Sequence, residues 1–210
     1  MEANFWLERW AKSEIGWHEK EFHPLLTGHI HEMALPFGAR VFVPLCGKTL
    51  DISFLLQRGY QVAGAELSET AVKQLFEALD VKPYVTAVGK LQRYSAPSID
   101  IFVGDLFDLT LEQLGPIQMI YDRAALVALP PSMRTRYTQQ LMAITRNAPQ
   151  VLITFEYDQS KMAGPPHSVP GTELWRHYGS SYALTLAESR PVPGGLKGQL
   201  EAYELVWLLK

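Results

Sequence analysis

The sequence predicts an α/β fold: a Rossmann-like, mostly parallel sheet of about seven strands, covered on both faces and ending in an antiparallel carboxyl-terminal hairpin. Three observations predict it. Strand-like and helix-like segments alternate through the middle of the chain, the pattern of parallel strands joined by crossover helices. Three strand segments end on a carboxylate, at Glu66, Asp105 and Asp122, where open α/β sheets bind ligands. Near the carboxyl end the pattern changes, with "YALTLAESR" and "LEAYELVWLL" flanking the turn-rich "PVPGGLKGQ", which suits a hairpin better than a crossover.

Each element has a local reason. After an aromatic-rich amino-terminal segment, "RVFVPL" is dense in β-branched and aromatic residues and reads as a short buried strand. A helix follows, with Leu50, Phe54, Leu55 and Arg58 on one side and Gly59 as a suitable C-cap. "QVAGAEL" is the second strand. Ser68 then caps "ETAVKQLFEAL", where Val72, Leu75, Phe76 and Leu79 recur at helical spacing. "IDIFVGD" and "IQMIYD" are two further strands. Pro130 and Pro131 open the helix "SMRTRYTQQLMAITR", and "QVLITFEY" supplies a fifth strand before the hairpin. The longest irregular stretch is "DQSKMAGPPHSVPGTE"; its Ala163–Pro170 part and the amino-terminal segment are expected to act as a lid.

Composition excludes several classes. A chain of 210 residues can bury a sizeable core and is read as one domain, residues 1–210, with residues 1–35 as an amino-terminal helical cover. With 47% hydrophobic and 20% charged residues it is ordinary globular material. A formal net charge of −3 and the lack of any Lys/Arg run argue against a nucleic-acid partner. The single cysteine, Cys46, excludes an internal disulfide framework and a Cys-rich zinc site, and is compatible with a reducing cytoplasm. No 18-residue apolar run suggests a membrane span, and "MEANFWLERWAK" carries charges where a signal peptide has an apolar core. A soluble cytoplasmic protein is expected.

The loop in "VFVPLCGKTLD" ends like a phosphate-binding loop, in Gly47-Lys48-Thr49. A phosphate loop of that type needs a second glycine five residues earlier so that backbone amides can wrap the phosphates, and that position is Phe42. A dinucleotide-binding loop would need three glycines where "PLCGKT" has one. Glu66, at the end of the second strand, is placed to accept both hydroxyl protons of a ribose, or is a solvated acid at a helix entry. Asp105 suits contact with an adenine amino group or an N-cap role, and Leu45 and Leu106 would supply apolar surface around a bound nucleoside. Arg123 can hold an anion through its fork or form a local ion pair with Asp122. His18, His23, His29 and His31 lack the i, i+4 pairing with a third ligand that a metal site needs, so no metal is expected. Trp6, Trp10 and Trp17 are core or interface candidates; the last two lie seven apart, which lets both face one pocket.

Taken in order, "FWLERWAKSEIGWHE", "PLCGK", "GAELSE", "YDRAALVAL" and "GPPHSVP" are specific, and the chain resembles the thiopurine S-methyltransferase family, its bacterial members most of all, over nearly its whole length. The resemblance implies a class I methyltransferase sheet and an enzyme that moves a methyl group from S-adenosylmethionine to an aromatic or heterocyclic thiol, or to selenium or tellurium compounds. It implies cofactor contacts at Trp10, Leu45, Glu66, Asp105, Leu106 and Arg123, and substrate contacts at Trp17 and Arg123. The second basic residue that the family places near the substrate, in the last hairpin, has no clean match here, and Lys197 and Arg190 are the candidates to replace it. From the chemistry, Arg123 is expected to hold the acceptor anion and Asp122 to receive a proton, by way of water. The partner is then a small molecule, and a monomer is expected. Three other classes compete: a kinase using Gly47-Lys48-Thr49, a dehydrogenase, and a non-catalytic module that binds the cofactor without turnover; a small-molecule methyltransferase with a different acceptor atom is a further alternative.

Overall fold

The structure is a computed structural model that describes residues 3–12, 14–16 and 18–210. Its sheet contains nine strands: β1 (Arg40–Pro44), β2 (Gln61–Glu66), β3 (Tyr84–Val88), β4 (Leu91–Ala96), β5 (Ile99–Val103), β6 (Met119–Arg123), β7 (Gln150–Tyr157), β8 (Leu184–Pro191) and β9 (Ala202–Leu209). Their spatial order is β3-β4-β5-β2-β1-β6-β7-β9-β8. The run β5-β2-β1-β6-β7 is parallel, and β9 and β8 close it with antiparallel pairs as the turn-rich carboxyl end predicts.

The two strands beyond the expected seven are β3 and β4. They form a hairpin around Gly89-Lys90 and add antiparallel to β5 at the sheet edge. β3 is an edge strand with little burial, so it lacks the hydrophobic alternation by which a strand is recognised. The cue present was the turn: a two-residue connection whose first residue is glycine, here at φ +61°.

Helices cover both faces. α2 (Pro24–His29), α3 (Asp51–Gln57) and α4 (Glu69–Ala78) pack on one, over Val41, Val43, Ile101 and Ile153; α5 (Leu111–Leu114), α6 (Pro131–Thr145) and α7 (Gly171–Tyr178) pack on the other, over Phe42, Phe102, Ile120 and Leu152. The alternate residues of each strand thus divide between two cores, as the two-residue strand period requires. The Ser68 side chain accepts from the Ala71 N–H, which starts α4 where its sequence predicts. α1 (Ala3–Ala11) lies apart from these layers, across the carboxyl ends of the parallel strands. Among the described residues no helix is long and apolar enough to cross a membrane.

Candidate active site

The order of strands reverses between β1 and β6: β2 and β5 lie to one side of β1, and β6 and β7 to the other. At such a switch the connections leave in opposite directions and a crevice opens beyond the carboxyl ends. A cavity of about 1020 Å³ occupies it. Its floor comes from the ends of β1, β2, β5 and β6, its roof from α1 with Gly16, His18, Glu19, His23 and Pro24, and its far wall from the 164–166 loop and the β8–β9 hairpin.

The loop after β1 makes a tight turn, with Leu45 at φ +47° and Gly47 at φ +53°. The Gly47 N–H donates to Glu66 Oε2 at 2.7 Å, and the Ser68 N–H donates to Oε1 at 2.8 Å. Burial raises the Glu66 carboxyl above the usual range, and the amides of Ser68, Gly47 and Leu67 offset part of that. Burial, and then the Glu66 charge, drives the Cys46 thiol well up, so this cysteine is a packed group and not a nucleophile. A Cβ on Gly47 would stand 2.9 Å from Trp10 Cζ2, so the glycine makes room for the tryptophan, which is itself buried. Lys48 reaches Gln74 at 2.9 Å, and Thr49 bonds Asp51 at 3.1 Å. An amide aimed at a carboxylate cannot cradle a phosphate, and the kinase alternative loses its loop.

Beside Glu66, Asp105 begins a turn and accepts from the Phe107 N–H at 2.9 Å through one oxygen, while buried Leu106 faces the cavity. The Arg136 guanidinium stacks 3.7 Å from the centroid of the Phe107 ring.

The other end of the cavity is charged. Arg123 pairs with Glu19. His23 is buried and bonds Glu204 at 3.1 Å through Nε2, and Arg190 donates to the second Glu204 oxygen at 2.8 Å. Burial pushes the Glu204 carboxyl up, but His23 and Arg190 outweigh it and hold it below its ordinary value. Asp51 accepts from the Tyr121 hydroxyl at 2.8 Å and from the His23 backbone N–H at 2.7 Å. Among the described residues no group of three or more His, Cys, Asp or Glu side chains is arranged to hold a metal ion.

Comparison with known proteins gives this crevice a family. The family model for thiopurine S-methyltransferase matches residues 1–198. The chain belongs to the thiopurine S-methyltransferase family. It is 54% identical to a thiopurine S-methyltransferase of Xanthobacter autotrophicus, covering 100% of this chain and 99% of that one. A thiopurine S-methyltransferase of Teredinibacter turnerae is 51% identical, over 100% of this chain and 97% of that one. Among solved structures, a Burkholderia thailandensis 1,6-didemethyltoxoflavin-N1-methyltransferase superposes with a TM-score of 0.67 at 16% identity, over 99% of this chain and 87% of that one. A TehB-like methyltransferase from Corynebacterium glutamicum gives 0.57 at 15% identity, over 99% and 98%. At such identities these two establish the shared methyltransferase fold.

Within this family fold, Trp10, Leu45, Glu66, Asp105, Leu106 and Arg123 all line one cavity. Trp17 lies outside the described residues. Asp122, expected as a proton acceptor, does not line the cavity. β6 carries both Asp122 and Arg123, and the pleat sends neighbours to opposite faces. Asp122 therefore points under the sheet toward α6, fully buried, accepting from the Leu126 N–H at 3.1 Å and the Tyr137 hydroxyl at 2.8 Å. The Asp122–Arg123 ion pair is replaced by Arg123–Glu19 for the same reason. The Ala163–Pro170 loop, expected as a lid, is fastened to the body: His167 N–H donates to Val127 O at 2.7 Å and Val169 N–H to Phe155 O at 2.8 Å. Buried Arg134 holds it from behind, donating to Ser168 O and to both oxygens of Glu173. Sequence reasoning missed Glu19, His23 and Glu204. The His23–Glu204 contact spans 181 residues and leaves no local signal.

Proposed function

We propose that the protein transfers a methyl group from S-adenosylmethionine to the sulfur of an aromatic or heterocyclic thiol, thiopurines included, and that selenium and tellurium compounds are further acceptors. The observation that carries this reading is Glu66: a buried carboxylate at the end of β2, fixed by one backbone amide on each oxygen. Each oxygen keeps a lone pair for the hydroxyls of a ribose. The space that a Cβ on Gly47 would fill holds Trp10 over the same floor, so the residues present fit a nucleoside.

In this reading Leu45 and Leu106 flank the bound cofactor, and Asp105 offers its second oxygen to the adenine amino group. Trp10 attracts a cation through its ring face, worth about 0.5–2 kcal/mol. When bound, S-adenosylmethionine supplies a methyl group on a positively charged sulfur. The chain's own work is to align the acceptor sulfur and exclude water. Arg123 holds the acceptor as an anion, Trp17 lines its pocket, and Asp122 acts from behind by positioning Tyr137 and the loop after β6. Residues 1–210 form one domain in which residues 1–35 cover the cavity. The enclosed cavity and the acidic net charge favour a small-molecule acceptor over a nucleic acid, and the protein acts as a monomer in the cytoplasm.

Calorimetric titration with S-adenosylhomocysteine tests this. Wild type is expected to bind, and Glu66→Ala to bind about 100-fold more weakly, from losing two hydrogen bonds to a charged group. A folded wild type that does not bind overturns the reading.

A further inference from the structure

Seven groups lining the cavity carry a carboxylate or an imidazole, and their engagements differ. Glu19 pairs with Arg123, and Glu66 is held by two backbone amides. Asp51 accepts from Tyr121, and Asp105 caps a turn. Glu204 is bonded to both His23 and Arg190. That leaves His18. It lines the same cavity, and among the described residues neither of its ring nitrogens has a hydrogen-bond partner, although its backbone is fixed by a bond from its N–H to Ile15 O at 2.9 Å. An imidazole anchored by its backbone and left open at its ring is arranged to exchange a proton with something in the cavity.

Its neighbours are Lys48 from the loop after β1, Arg123 from the end of β6, and Glu19 beside it in the chain. Burial, then Lys48 and Arg123, hold the imidazole below its ordinary value, with Glu19 opposing. The same two cations favour a thiolate in that part of the cavity, so the environment that weakens the base also acidifies the thiol. An imidazolium formed there is repelled by both cations and returns its proton readily to water.

Resting on the proposed methyl transfer, we infer that His18 is the catalytic base that takes the proton from an acceptor thiol bound in its un-ionised form. The S–H bond breaks with the proton going to a ring nitrogen and the electron pair staying on sulfur. That sulfur forms its bond to the methyl carbon while the carbon–sulfonium bond breaks, its electrons neutralising the donor sulfur. His18 then releases the proton to solvent. Asp122, walled off below the sheet, cannot do this, and His23 is already committed to Glu204.

His18→Gln is compared with wild type on two acceptors: a benzyl thiol, protonated at neutral pH, and a nitro-substituted thiophenol, already ionised. kcat/KM is expected to fall about 100-fold more for the protonated acceptor than for the ionised one, within the usual range for a general base. Raising the pH toward the benzyl thiol's own ionisation is expected to restore the variant. Independently of turnover, the absorbance of a thiolate bound beside S-adenosylhomocysteine is expected to appear at lower pH in wild type than in the variant. Equal losses on the two acceptors, or a thiolate signal that does not move, overturns the assignment. Calorimetry with S-adenosylhomocysteine is run on both proteins. If wild type itself fails to bind, the methyltransferase reading has failed; if both bind and the losses are equal, only the role of His18 has.

Discussion

Asp122 is a buried carboxylate directly beneath the site. Its side chain is fully buried, and burial raises its carboxyl from 3.8 to about 6, with the Leu126 N–H, the Tyr137 hydroxyl and the Ala125 N–H limiting the rise. Two units correspond to about 3 kcal/mol of fold stability. The sign follows from proton binding. Between about pH 4 and pH 6 the folded chain holds a proton here that the unfolded chain has lost, so rising pH favours unfolding. The contribution is fully present below the unfolded value and gone above about 6. Asp122→Asn fixes the side chain in a neutral form of the same shape, its amide oxygen facing the Leu126 N–H and its NH2 facing the Tyr137 oxygen. Urea denaturation of both proteins at intervals from pH 4 to pH 8 reads the outcome. Relative to wild type, the variant is expected to gain about 3 kcal/mol between pH 4 and pH 7. Because other carboxylates titrate equally in both chains, the difference isolates this one group. A difference that stays flat with pH refutes the buried, ionising Asp122 described above.

Gly47→Ala adds a Cβ 2.9 Å from Trp10 Cζ2 at a φ of +53°. It is expected to lose about 1–2 kcal/mol from left-handed strain and at least about tenfold in S-adenosylhomocysteine affinity; wild-type values in denaturation and calorimetry would remove the Trp10–Gly47 contact from the site. Arg134→Met leaves the Glu173 carboxylate without the Nη1 group that holds its two oxygens at 2.8 and 2.9 Å. A loss of about 3–5 kcal/mol is expected, largely recovered in the double variant Arg134→Met/Glu173→Leu. A single variant within about 1 kcal/mol of wild type would mean that this pair does not fasten the 163–170 loop.

The positions of Leu45, Glu66, Asp105, Leu106 and Arg123 were legible in the sequence because each stands at or just beyond the carboxyl end of a parallel strand. Crossover connections force such strands to point the same way, so their ends must share one edge of the sheet. The β3–β4 hairpin was not legible by hydrophobic pattern, because an edge strand with exposed Tyr84 and Val85 buries too little to show one.

By itself the sequence determined the alternation of strands and helices, the Phe42 that stands where a phosphate loop needs its second glycine, and the family. Tertiary structure decided which side chains meet. The pleat at β6 parted Asp122 from Arg123, and folding brought His23 against Glu204 and Glu19 against Arg123. It also left His18 facing the cavity with an open ring. Local pattern is fixed by backbone geometry over a few residues, whereas these pairings depend on where distant segments end once the core has packed.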